Sequence, residues 1–204
     1  MARNPSLAAV LSFTVTLTAC SDAGRISLPE PSAAVAARSG VSGAAVAARG
    51  GVSGAAAGVR RIEMLDNCDP ASFDAVLGAG ACTRSGGLTF DAFIGALTAR
   101  GVVESWRFSP EKVEARVGQT LLAINRGGEE HTFTEVAQFG GGIVPLLNQL
   151  TGNTTVAPEC QALGPSDFIP PGGTASDEVD AAGTERYMCC IHPWMRTTVT
   201  ARGS

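Results

Sequence analysis

Near the C-terminus, Cys189-x-x-His192-x-x-Met195 gathers a thiol, an imidazole and a thioether within seven residues. Donors so close in sequence can converge from a single loop between two strands, and the segment is read so. The chain has two histidines in all, and any site that needs three imidazoles is excluded. The other one, His131, follows a tight loop, Arg126-Gly127-Gly128-Glu129-Glu130. Upstream, Phe108, Val113 and Val117 lie in short extended runs with turns at Pro110 and Gly118, and Leu121-Leu122-Ala123-Ile124-Asn125 follows. This is β-structure punctuated by turns.

The donor types decide the chemistry. Two imidazoles and one thiolate in a plane, with a long, weak thioether bond on the axis, form the ligand set of type 1 (blue) copper. Zinc calls for a second thiolate or a carboxylate in place of the thioether. A covalent haem needs Cys-x-x-Cys-His and a thioredoxin-like centre needs Cys-x-x-Cys, and neither occurs. Either histidine alone reads as structural; four matched donor types do not.

These residues carry a family resemblance. From about Trp106 onward, the pattern F-S-P-E-x-V-x-x-x-V-G-Q-T, Asn125 ahead of His131, and the Tyr187/Cys189/His192/Met195 loop resemble the cupredoxins of the plastocyanin and azurin superfamily. The short ligand loop is most like that of the amicyanins. The resemblance implies an all-β fold, a Greek-key β-sandwich, with residues 61–102 as a short N-terminal helical extension outside it. It makes His131 the early, buried ligand, Cys189 the thiolate, His192 the ligand near the surface and the port for electrons, and Met195 the axial ligand. One copper cycling between Cu(I) and Cu(II) would carry single electrons to and from redox partner proteins, and no substrate-turnover site is expected. A copper-binding or copper-delivery protein is the alternative, disfavoured because only four methionines are present and they are scattered. A degenerate, structural module is disfavoured by the complete ligand set.

The rest of the chain reads as address and tether. Residues 1–20 hold Arg3, an uncharged apolar run over 7–17, and Leu17-Thr18-Ala19-Cys20. That is the anatomy of a lipoprotein signal, with Cys20 as the lipidated residue and an anchor in a bacterial envelope membrane. Residues 21–60 contain an eleven-residue repeat, AAVAARSGVSG then AAVAARGGVSG, too short for a solenoid and expected to be a flexible linker. Within residues 61–102, Phe90, Phe93, Ile94 and Leu97 share one face of a helix, with Thr89 as its cap and Gly101 as its stop. The sandwich is expected over residues 103–204.

Six cysteines remain to be divided. With Cys20 lipidated and Cys189 on copper, Cys68, Cys82, Cys160 and Cys190 form an even set in an exported chain, which points to disulfides. Cys68 with Cys82 and Cys160 with Cys190 is the favoured pairing; the others stay open, as does a free Cys190. Adjacent strand residues face opposite ways, so Cys190 should point away from copper. From Arg61 on, ten basic residues stand against seventeen acids, which excludes a general nucleic-acid binder. Glu129 and Glu130 read as a solvated turn, and Trp194 as either packing or a docking aromatic beside His192.

Overall fold

The computed structural model describes residues 58–203. The signal, Cys20 and nearly all of the tether lie outside the described residues. Strand β1 (Val59–Leu65) buries Ile62 and Met64 completely, while Arg60 and Arg61 stay exposed. Helix α1 (Pro70–Leu77) is opened by Asp69, whose carboxylate accepts the Ser72 N–H at 3.0 Å, with Pro70 in the first turn where its missing N–H removes no helical bond. Helix α2 (Phe90–Arg100) is capped by the Thr89 hydroxyl and stopped by Gly101, whose φ of 71° is left-handed. It turns Phe93 and Leu97 into the core.

The remaining strands are β2 (Arg107–Ser109), β3 (Lys112–Arg116), β4 (Thr120–Asn125), β5 (His131–Thr132), β6 (Thr134–Glu135), β7 (Phe168–Ile169), β8 (Thr174–Glu178), β9 (Gly183–Met188) and β10 (Arg196–Arg202), with helix α3 (Pro145–Thr151) between β6 and β7. One sheet runs β2-β1-β4-β8 and the other β3-β10-β9-β6; β5 and β7 make a short ribbon of their own. Both larger sheets are mixed, because β1 lies parallel to β4 and β3 parallel to β10. Ile62, Phe108 and Leu121 from one sheet meet Val113, Tyr187 and Val199 from the other in a single buried cluster. The fold is a β-sandwich. Among the described residues no helix is long and apolar enough to cross a membrane.

The structure departs from the expected division of the chain. β1 starts inside the expected linker and runs only into the start of the expected helical extension, yet it is hydrogen-bonded between β2 and β4. Residues 61–102 are therefore not an extension to a sandwich that begins at 103; they supply one of its inner strands. The inward alternation of β1 covers only Ile62 and Met64 and is flanked by charges, so its period-2 signal is too short to read beside the strong helix that follows. The long segment after β6 holds α3, and its Val136, Ala157 and Cys160 form a second apolar cluster with Met188 and Cys190 from the end of β9 and the residues after it.

Candidate metal centre

Three donors converge at one end of the sandwich. Cys189 follows the last residue of β9, His192 sits in the loop before β10, and His131 opens β5. Two backbone bonds shape the loop: the Met195 N–H reaches the His192 carbonyl at 2.9 Å, and the Cys189 N–H reaches the Met195 carbonyl at 3.0 Å. The Cys189 sulfur lies 3.8 Å from His131 Nδ1 and 3.7 Å from His192 Nδ1. The three ligating atoms all lie within 4.8 Å of one another. Met195 is fully buried at the foot of the loop, in the apolar cluster that contains Cys189.

The spacing fits a metal. Bonds of about 2.0 Å to nitrogen and about 2.3 Å to sulfur, in a trigonal arrangement, put the two donors roughly 3.7 Å apart. One thiolate, two imidazoles and a neighbouring thioether are the donors of a copper site rather than a zinc site. Cys189 is the single free cysteine among the described residues. Burial opposes its ionisation, but hydrogen bonds and charge from His131 and His192 outweigh burial and hold its pKa well below the usual thiol value. The Thr132 N–H also points at this sulfur, at 3.4 Å. The chain has a cupredoxin fold.

Solved cupredoxins are similar to it. A purple cupredoxin from Nitrosopumilus maritimus aligns at 16% identity with a TM-score of 0.40, over 70% of this chain and 98% of that one. A methionine variant of amicyanin in its Cu(I) form aligns at 23% identity with a TM-score of 0.33, over 47% and 73% of the two chains. No protein-family model and no curated protein matches the sequence. The fold reading stands on this chain's own sheets and donors.

Around the donors, the structure adds a carboxylate that sequence reasoning missed, and gives Asn125 its role. Asp66, directly after β1, meets His131 Nε2 at 3.0 Å with its side chain only 1% exposed. Burial raises the Asp66 pKa, but the hydrogen bonds from His131, Gly128 and Glu129 prevail and hold it at about 2. Burial likewise opposes charge on His131, yet Asp66 and Cys189 raise its pKa to about 9. Asn125, at the end of β4, fixes the turn before His131: its Nδ2 donates to the Glu129 and Ile169 carbonyls, each at 2.8 Å, and its Oδ1 accepts the Gly127 N–H.

Two expectations need correction. His192 is not open to solvent: it is 3% exposed, although it is the one donor of the four with any exposure. Phe93 from α2 and Trp194 stand edge-on to its ring, at centroid distances of 6.4 and 5.4 Å. Glu129 is not a solvated residue of its turn either; of the two glutamates Glu130 alone is exposed. Glu129 Oε2 accepts from the Trp106 indole N–H and lies 3.7 Å from His192 Nε2. Burial drives its pKa up, against the pull of His192 and the Trp106 hydrogen bond. Trp194 itself is half-buried and donates to the Val103 carbonyl at 3.3 Å. Both corrections come from α2 and residues 103–106 folding over the ligand loop, which no local pattern announces.

Among the described residues, the other cysteines are paired as Cys68–Cys82 and Cys160–Cys190. Cys190 turns into the second apolar cluster, and its N–H donates to the Thr132 hydroxyl at 2.8 Å. Thr132 thus holds both residues of the Cys189-Cys190 pair, one by its backbone and one by its side chain.

Proposed function

We propose that this protein holds one copper ion with His131, Cys189, His192 and Met195, and transfers single electrons with redox partner proteins from a lipid anchor at Cys20 in the bacterial envelope. The observation that carries the copper reading is the fully buried Cys189 sulfur set between two imidazole Nδ1 atoms at 3.7 and 3.8 Å. When bound, copper supplies a one-electron couple between Cu(I) and Cu(II). The chain's part is to keep the donors in one arrangement for both states. Thr132 and the two loop hydrogen bonds hold the sulfur, Asp66 holds His131, and Phe93, Trp106 and Trp194 keep water from His192. A copper-delivery role fits less well, because handing over a metal needs accessible donors and none of the four donors is more than 3% exposed.

The purified protein, loaded with Cu(II), is expected to show an intense visible thiolate-to-copper band that bleaches on reduction and returns on oxidation. Cys189→Ser should abolish the band and Cys190→Ser should retain it. A band that survives Cys189→Ser overturns the site, and rapid loss of Cu(I) to a weak chelator would favour delivery instead. For the anchor, Cys20→Ala should move the protein from the membrane fraction to the soluble envelope fraction.

A further inference from the structure

We infer that Asp66 is a positioning residue for the copper site, and that the chain between β1 and α1 is held in place to deliver it. This rests on the copper reading above and explains what the region ahead of Trp106 contributes to it.

Three features place this carboxylate. Asp66 follows β1 directly, and β1 is registered on β4 with Met64 opposite Asn125, so the strand pairing that builds the sheet also aims Asp66 at the turn before His131. The Arg126 N–H closes that junction on the Met64 carbonyl at 2.9 Å. Two residues further on, Cys68 is tied to Cys82. The turn itself leaves no room for side chains. A β-carbon at Gly127 would stand 1.8 Å from Asp66 Oδ2, and one at Gly128 would stand 2.7 Å from the Cys68 sulfur. Glycine at both positions is what lets the segment and the turn close on each other.

Every polar group facing Asp66 is a donor. Oδ1 accepts from Gly128 N–H at 2.8 Å, and Oδ2 accepts from Glu129 N–H and His131 Nε2, both at 3.0 Å. A carboxylate that can only accept keeps a proton on Nε2 and leaves Nδ1 as the atom presented to the metal. A carbonyl oxygen would fix the ring equally well. The full negative charge does more, because it makes the imidazole a stronger donor to the metal and favours the more highly charged Cu(II).

The test compares wild type with Asp66→Asn, which keeps the size and one acceptor oxygen but removes the charge. Both are loaded with copper in the full chain. The reduction potential of the variant is expected to rise by about 59 mV, the one-electron equivalent of a tenfold loss in affinity for Cu(II) relative to Cu(I). In the diamagnetic Cu(I) proteins, the His131 Nε2–H proton resonance should move upfield and exchange with water roughly tenfold faster. If Asp66→Asn does not fold, Gly127→Ala is used, since its methyl group displaces the carboxylate while keeping the charge; the same resonance should move. A lowered melting temperature with potential and resonance unchanged overturns the inference and leaves Asp66 a packing residue. A wild-type protein that takes up no copper overturns the copper reading and this inference together, so the two failures are distinguishable.

Discussion

The two imidazoles of the site are sheltered in opposite ways. His131 rests in a polar cradle: a carboxylate, two glycines in close approach, and an asparagine stapling the turn. His192 is closed off by aromatic packing, with Phe93 and Trp194 around its ring and Trp106 behind them at 4.8 Å from Phe93. Its own carboxylate neighbour, Glu129, stays 3.7 Å away and spends its hydrogen bond on Trp106. Directional bonds set an orientation, whereas packing excludes water and fills space. The cradle thus tunes one ligand, and the cover isolates the other. Each takes its far partner from the chain ahead of β2, Asp66 for the cradle and Phe93 with Trp106 for the cover.

That contrast can be broken at several levels. The largest effect is expected from removing both shelters at once. A chain beginning at residue 103 lacks β1, which pairs with β2 and β4, and should show no cooperative thermal transition and no copper band. Full folding of that fragment would mean the region is dispensable after all. Next comes the cover alone. Phe93 is 3% exposed, so Phe93→Ala should cost about 3–5 kcal/mol in denaturant unfolding. The copper band should survive, since no donor is touched.

Acid separates the two sides by charge. The folded Asp66 pKa of about 2 lies below its ordinary 3.8, so its stabilisation is complete above the ordinary value and is lost as pH falls through the folded one. The loss amounts to about 2 kcal/mol between roughly pH 4 and pH 2. Unfolding free energies measured across that window should fall less in Asp66→Asn than in wild type; equal slopes would remove Asp66 from the account. The smallest expected effect sits at the root of the cover. Thr89→Ala deletes the α2 cap, which accepts the Ala92 N–H at 3.4 Å, and should lower stability by about 1 kcal/mol without moving the copper spectrum.

Much of the centre was readable because its chemistry is local. Cys189, His192 and Met195 come from one loop, and the spacing of unlike donors is informative even before any fold is known. Helix α2, from Thr89 to Gly101, was equally readable, since its cap, apolar face and stop all sit within one periodic stretch. Asp66 was not readable. An aspartate ahead of a cysteine carries no mark of the histidine 65 positions away that it binds; its nearest signal was the Cys68 that follows it. Glu129 misled for the same reason: beside Glu130 in a glycine turn it looks solvated, and only the indole of Trp106 makes it a buried acceptor.

Local pattern determined which residue types meet in the ligand loop, where α2 starts and stops, and that the second half is built of short strands. It did so because donor spacing, capping and alternation act over a few residues. Tertiary structure decided that β1 belongs inside the sandwich, which cysteines pair, that His192 is covered, and that Asp66 reaches His131. Those outcomes depend on strand register and on close backbone approach between segments far apart in the chain, and no short window of sequence encodes either.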